Sequence, residues 1–167
     1  LPISTVDIVA TRKQLMNQIQ QALESHHIRS EVNEQEGTLY LPGLLDFKNE
    51  ATDIMPEKRQ GMQKLADVLA KHSQVFIISD EIYEHINFIG GHETIAQFAD
   101  MKERTILING VSKAYAMTGW RIGYMAAPMW LVKACDKLQG QTTTGATTIS
   151  QKAATAALTG DQTCVTE

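Results

Sequence analysis

Apolar positions recur along this chain at two different periods. In TVDIVATRKQLMNQIQQALES, residues 5 to 25, Leu15, Ile19, Ala22 and Leu23 fall three to four apart and share one face of a helix. Ser4 and Asp7 resemble a capping box at its start. The polar stretch HHIRSEVNEQEG predicts a strand edge and then a turn at Gly37. TLYLPGLLDF reads as a strand with Pro42–Gly43 as its breaker. A second helix runs through PEKRQGMQKLADVLAKH, with Pro56 in its first turn and Met62, Leu65, Ala66 and Leu69 as its buried stripe.

From residue 75 the pattern changes. VFIIS, RTILING and IGYMAAP are short unbroken apolar runs, which predicts strands of the parallel-sheet type covered on both faces. MWLVKACDKLQ and SQKAATAALTG predict helices, separated by the Thr/Gly linker GQTTTGATTI. Strands alternating with helices argue for an α/β fold, a mixed sheet of about five strands covered by helices.

Composition narrows the function classes. The 167 residues are 43% hydrophobic and 20% charged, the profile of a soluble globular protein. A net charge of −4 argues against a nucleic-acid partner, whose phosphates call for Lys and Arg. No apolar run approaches the ~18 residues that would span a membrane. Cys135 and Cys164 form neither a disulfide framework nor a zinc ligand set, which suits two reduced thiols in a cytoplasmic protein. The chain opens on Leu1 and closes on TGDQTCVTE, so a piece of something longer is expected.

Chemistry concentrates at the strand ends. SDEIYE follows the first buried run, NGVSKAY follows the second, and GWRIGY opens the third. In open α/β sheets, ligands bind beyond the carboxyl ends of strands. Lys113 and Arg121 stand eight positions apart among small, hydroxyl and apolar residues, unlike a solvated face that interleaves acids with bases. A desolvated lysine has a lowered pKa and forms a Schiff base with an aldehyde. An arginine holds a phosphate with two parallel hydrogen bonds. With Asp80 for a ring nitrogen and Tyr83 for a ring oxygen, this is the set of groups pyridoxal phosphate needs. Singly, each has an ordinary alternative: Asp80 a turn residue, Tyr83 a core residue with a wet tip, Lys113 a solvated charge, Arg121 a member of an ion pair.

Together, SDEIYEHINF and NGVSKAYAMTGWRIGYMAAP resemble the signature segments of class I pyridoxal-phosphate aminotransferases of the aspartate type. The pattern D-x-x-Y, then S-K-x-x-x-x-x-G-x-R-x-G, matches at Asp80, Tyr83, Ser112, Lys113, Gly119, Arg121 and Gly123, and the resemblance runs from about residue 65 to 162. It implies part of a fold-type-I large domain over residues 72–167, with pyridoxal 5'-phosphate as cofactor and amino-group transfer between an aspartate-like amino acid and a 2-oxo acid. It implies Lys113 as the Schiff-base and proton-shuttling lysine, Asp80 on the pyridine nitrogen, Tyr83 on the ring hydroxyl, and Arg121 with Ser112 near the phosphate. It implies a homodimer. Gly119 and Gly123 suit close backbone packing against the cofactor. Many relatives carry a phosphate-binding serine three residues before the lysine, where this chain has Gly110.

Residues 1–71 do not continue the pattern, and read as an α+β segment. Residues 1–75 hold no NPxG turn and no Gly-Ser/Thr-rich loop at a helix start, and no substrate-carboxylate arginine domain follows. The resemblance therefore implies impaired or absent activity in a chain of this span, with apolar strand edges prone to association. Phe47, Ala51, Ile54 and Pro56 resemble instead the start of an OmpA-like peptidoglycan-binding domain. GGHET at 90–94 echoes that family's ligand segment but lies inside the aminotransferase-like stretch, and is treated as chance. The alternatives to an enzyme are thus a peptidoglycan-binding-type module, or an inactive chimera joined near residues 65–75.

Overall fold

The computed structural model describes residues 5–35, 38–41, 55–86 and 92–166. The chain divides into two units, Leu1–Ser73 and Gln74–Glu167.

In the first unit, helix α1 spans Thr5–Ser25. Ile19 and Leu23 are buried, with Leu15 and Ala22 half-buried beside them, as the 3.6-residue period requires. The helix stops without a glycine. His27 takes a left-handed φ of 61°, and the N–H groups of His26 and Ile28 both return to the Leu23 carbonyl. Strands β1 (Glu31–Asn33) and β2 (Thr38–Tyr40) pair antiparallel, Val32 opposite Leu39. Helix α2 spans Met55–Ala70 and buries the expected stripe of Met62, Leu65, Ala66 and Leu69, together with Val68. Side chains spaced this way on α1 and α2 form the unit's apolar core. Ser4, Pro42–Gly43, Phe47, Ala51 and Ile54 lie outside the described residues.

The second unit is built on β3 (Ile77–Asp80), β4 (Thr105–Gly110) and β5 (Gly123–Ala126) in the order β3-β4-β5. β3 runs parallel to β4, and β5 antiparallel to it. The described strands therefore number five, as expected, but fall in two sheets rather than one. The third apolar run is also not of the parallel type: residues 111–122 fold into a loop with one short 3-10 turn rather than a crossover helix, and return the chain antiparallel beside β4.

Helices α3 (Met129–Thr142) and α4 (Thr148–Thr159) follow, with a short α5 at Thr163–Thr166. Both long helices extend into the expected linker, leaving only residues 143–147 between them. The unit's core gathers Ile95, Phe98, Met101, Val111 and Ala154. Arg104 is buried there, its guanidinium donating to the carbonyls of Asp100 and Val75 and so tying the approach to β4 against the approach to β3.

The expectation that β3 is covered on both faces fails. Ile78 is 71% exposed, because side chains along β3 alternate between a packed face and an open one. Phe76 keeps partial cover through an edge-on contact with Trp130 at 5.6 Å.

Candidate functional site at one end of the sheet

Strand directions decide which residues can meet. β3 and β4 are parallel, so their carboxyl ends lie at the same end of the sheet, with Asp80 opposite Ile108. β5 is antiparallel, so its beginning lies there too, with Gly123 opposite Gly110. Asp80 closes β3, Ser112 and Lys113 follow β4 by two and three residues, and Arg121 precedes β5 by two. The three motifs thus converge on one end.

Asp80 is exposed and accepts the N–H of Ile82 at 3.2 Å, a local turn bond that leaves its other carboxylate oxygen available. The chain then turns through residues 82–85, and Tyr83 emerges 57% exposed. Lys113 is exposed rather than enclosed in an apolar pocket. Its Nζ lies 5.4 Å from the centre of the Tyr83 ring, within cation–π range. Asp80, Tyr83 and Lys113 therefore gather beside the β3–β4 pair.

Lys113 and Arg121 belong to one tightly bonded loop. Ala116 N–H returns to the Lys113 carbonyl and Met117 N–H to the Val111 carbonyl. Thr118 is its hub. The Thr118 hydroxyl donates to the Ser112 carbonyl at 2.9 Å, beside the lysine. The Thr118 carbonyl accepts from the Arg121 side chain at 3.1 Å and from its backbone N–H at 3.4 Å. Ala116 and Arg121 both hold positive φ, at 52° and 50°. Such values disfavour residues with a Cβ and persist where the surroundings over-determine them.

An open cavity of about 770 Å³ lies against this loop. It is lined by Gly119 and Arg121 on one side, and by Gly145, Thr147 and Ser150 from the approach to α4 on the other. Of the residues expected in the site, Arg121 alone lines it; Asp80, Tyr83, Ser112 and Lys113 do not.

The glycines divide by role. A Cβ at Gly119 would meet nothing within 4 Å, so the expected close packing is not with this chain's own atoms; the position opens on the cavity. A Cβ at Gly123 would lie 3.0 Å from the Asn109 carbonyl. At Gly110 it would lie 3.1 Å from Gly123 Cα and 3.2 Å from both the Ile122 carbonyl and Ile82 Cδ1. The departure from the serine of many relatives thus coincides with a glycine–glycine strand pairing that leaves little room for a side chain.

Three further features escaped sequence reading. The first is Thr118. The second is Glu81, next to Asp80 and only 5% exposed. Its carboxylate accepts the hydroxyls of Ser79 and Thr94 and lies 2.7 Å from His92 Nε2. The GGHET stretch supplies two of these partners, His92 and Thr94. With Glu84, Glu81 and His92 bring possible metal-ligand atoms within 4.8 Å of one another. Hydrogen bonding already accounts for the Glu81 oxygens, so the cluster reads as a structural latch. The third is Ser150, whose hydroxyl donates to the Trp120 carbonyl at 2.8 Å across 30 residues of chain. No local sequence signal points to either contact.

Comparison with known proteins then bears on these residues. The family model for aminotransferase class I and II matches residues 57–167. The match takes in most of α2, earlier than residue 65, where the sequence resemblance was placed. A bifunctional aspartate aminotransferase and glutamate/aspartate-prephenate aminotransferase of Petunia hybrida is 47% identical over 116 residues, covering 69% of this chain and 24% of its own length. A probable aspartate/prephenate aminotransferase of Rhizobium leguminosarum bv. phaseoli is 50% identical over 111 residues, covering 64% and 27%. Among solved structures, the aspartate aminotransferase of Rhizobium meliloti superposes with a TM-score of 0.61 at 44% identity, again over 64% of this chain and 27% of that one. The chain spans about a quarter of the length of these relatives. No helix among the described residues is long and apolar enough to cross a membrane.

Proposed function

This chain belongs to the aminotransferase class I and II family, and on that premise we propose that residues 72–167 form the lysine-bearing half of a pyridoxal-phosphate site for amino-group transfer between an aspartate-like amino acid and a 2-oxo acid. The observation that carries the proposal is the convergence of Asp80, Lys113 and Arg121 on one end of a mixed sheet. The relatives named for aspartate support the choice of amino donor. Assembly as a homodimer belongs to the same proposal.

The donor set fits the cofactor. An amine, a guanidinium, a carboxylate and a phenol match an aldehyde, a phosphate, a pyridine nitrogen and a ring hydroxyl. The open space beside Gly119 and Arg121 suits an anion next to the guanidinium. When bound, the cofactor supplies an electron-withdrawing ring that takes up the electron pair released as the substrate Cα–H bond breaks.

The chain's own groups do the rest. Lys113 Nζ would hold the aldehyde and, when freed by the substrate amine, would carry the proton between the substrate Cα and the carbon of that aldehyde. Asp80 would accept the hydrogen bond of a protonated ring nitrogen and keep that proton in place. The Tyr83 hydroxyl would bond the ring oxygen, and its ring face lies within cation–π range of Lys113 Nζ. Arg121 would donate to the phosphate, with Ser112 assigned to the same group by the family resemblance. Thr118 ties the backbone beside Lys113 to the turn that carries Arg121, so anchor and clamp move together. Reaction rate depends on all parts of a site being held at once. We therefore propose that a chain of this span binds the cofactor but turns over slowly or not at all.

A visible absorbance titration with pyridoxal phosphate tests this. A saturable band that disappears in Lys113→Ala is expected. A band of equal size in Lys113→Ala overturns the assignment.

A further inference from the structure

Arg121 adopts φ 50° and ψ 51°, left-handed values that a residue with a Cβ avoids unless its neighbours impose them. Two restraints are local: the Arg121 backbone N–H and side chain both donate to the Thr118 carbonyl of the same turn. They close the turn but do not fix it in the unit. The Thr118 hydroxyl ties the turn to the Ser112 carbonyl, and a second restraint from outside the turn is Ser150. Its hydroxyl donates at 2.8 Å to the Trp120 carbonyl, the oxygen of the peptide group whose nitrogen belongs to Arg121. Peptide groups are planar, so holding that oxygen holds the plane about which φ of Arg121 is defined.

Ser150 is itself well anchored. It is 8% exposed and, with Ala154, one of two buried residues of α4. The Thr147 hydroxyl donates to Ser150 Oγ at 2.9 Å, and the Ser150 N–H returns to Thr147 Oγ1 in the helix cap. A relay of hydroxyls thus runs from the cap of α4 through Ser150 to the peptide group of Arg121. All three residues line the same cavity.

We propose that Ser150 is a positioning residue that sets Arg121 for the phosphate of a phosphorylated aldehyde, without touching the ligand itself. The inference rests on the reading of Arg121 as the phosphate clamp given above.

The test compares two probes that differ only in the phosphate. Pyridoxal and pyridoxal phosphate each condense with the Lys113 amine, forming a carbon–nitrogen double bond with loss of water. The ratio of their dissociation constants is the phosphate advantage, measured by absorbance in the unsubstituted chain, Ser150→Ala, Ser150→Thr and Arg121→Ala. Losing one hydrogen bond to a neutral carbonyl changes an equilibrium several-fold. Ser150→Ala is therefore expected to lower the advantage about fivefold, with pyridoxal affinity unchanged, and Ser150→Thr to restore it. Should Ser150→Ala lose its helical circular dichroism, Ser150→Cys, of similar volume but a weaker donor, carries the same comparison. An unchanged advantage in the Ser150 variant overturns the inference alone. Equal losses for both probes also overturn it, since they mark general loosening. A full advantage in Arg121→Ala, or no Lys113 adduct in the unsubstituted chain, overturns the underlying site reading and this inference with it.

Discussion

Replacing Gly110 by serine, the residue many relatives carry there, should weaken this protein. Gly110 ends β4 opposite Gly123, and an added Cβ would stand 3.1 Å from Gly123 Cα, 3.2 Å from the Ile122 carbonyl and 3.2 Å from Ile82 Cδ1. Carbon contacts are most favourable near ~3.5–4.0 Å, so each neighbour must retreat by a few tenths of an ångström. Ile82 can turn its side chain away; the two backbone atoms can move only with β5. Overpacking of this kind costs about 1–3 kcal/mol. Loss of glycine's freedom in the unfolded chain offsets roughly 0.5–1 kcal/mol of that. Taking the middle of each range, the net expectation is a destabilisation of about 1 kcal/mol. With a urea slope of roughly 2 kcal/mol per molar for a protein of this size, the midpoint falls by about 0.5 M. Trp120 and Trp130, the two tryptophans of the chain, both belong to the unit that contains Gly110, so their fluorescence reports its unfolding. Gly119→Ala is the control: with nothing within 4 Å of the new Cβ, its midpoint should hold or rise. A Gly110→Ser midpoint at or above the unsubstituted value would refute the packing argument.

Other expectations follow from the same structure. Glu81→Ala leaves Ser79, Thr94 and His92 without their shared acceptor, and should cost about 1–3 kcal/mol by urea unfolding, with Glu81→Gln milder. Equal, negligible effects of the two substitutions would contradict the latch. In α3, Gly140→Ala meets nothing within 4 Å and should raise stability by about 0.5–1 kcal/mol; a loss would show that the helix end needs glycine. Bonds from the Thr163 backbone N–H and then its hydroxyl hold the Asp161 carboxyl below the ordinary carboxylate range. Because the folded pKa is the lower one, the contribution is present above the ordinary carboxylate pKa and is lost as pH falls through the lowered value. In an NMR titration the Thr163 amide should respond at that lower pH, and Asp161→Asn should abolish the step. A response in the ordinary range would contradict the bonding.

What sequence reasoning recovered is what depends on local period. The stripes of α1 and α2 follow from spacing alone, because i, i+3 and i+4 positions meet whatever the rest of the chain does. The positions of Asp80, Lys113 and Arg121 at strand ends were legible as well. Contacts made across sequence distance were not. Ser150 reaches Trp120 over 30 residues and His92 reaches Glu81 over 11, and neither residue type announces its partner. The antiparallel direction of β5 was also hidden, since direction depends on the length and path of a turn rather than on apolar content. That direction is what brings Arg121 to the end of the sheet that Asp80 and Lys113 share.

We propose that Lys113 is the lysine that holds an aldehyde. The most direct measurement is borohydride reduction in the presence of pyridoxal phosphate, followed by peptide mapping of the fixed adduct. The account predicts one adduct per chain, located on Lys113 and suppressed by excess inorganic phosphate. Substoichiometric labelling spread over the other surface lysines, indifferent to phosphate, would contradict it.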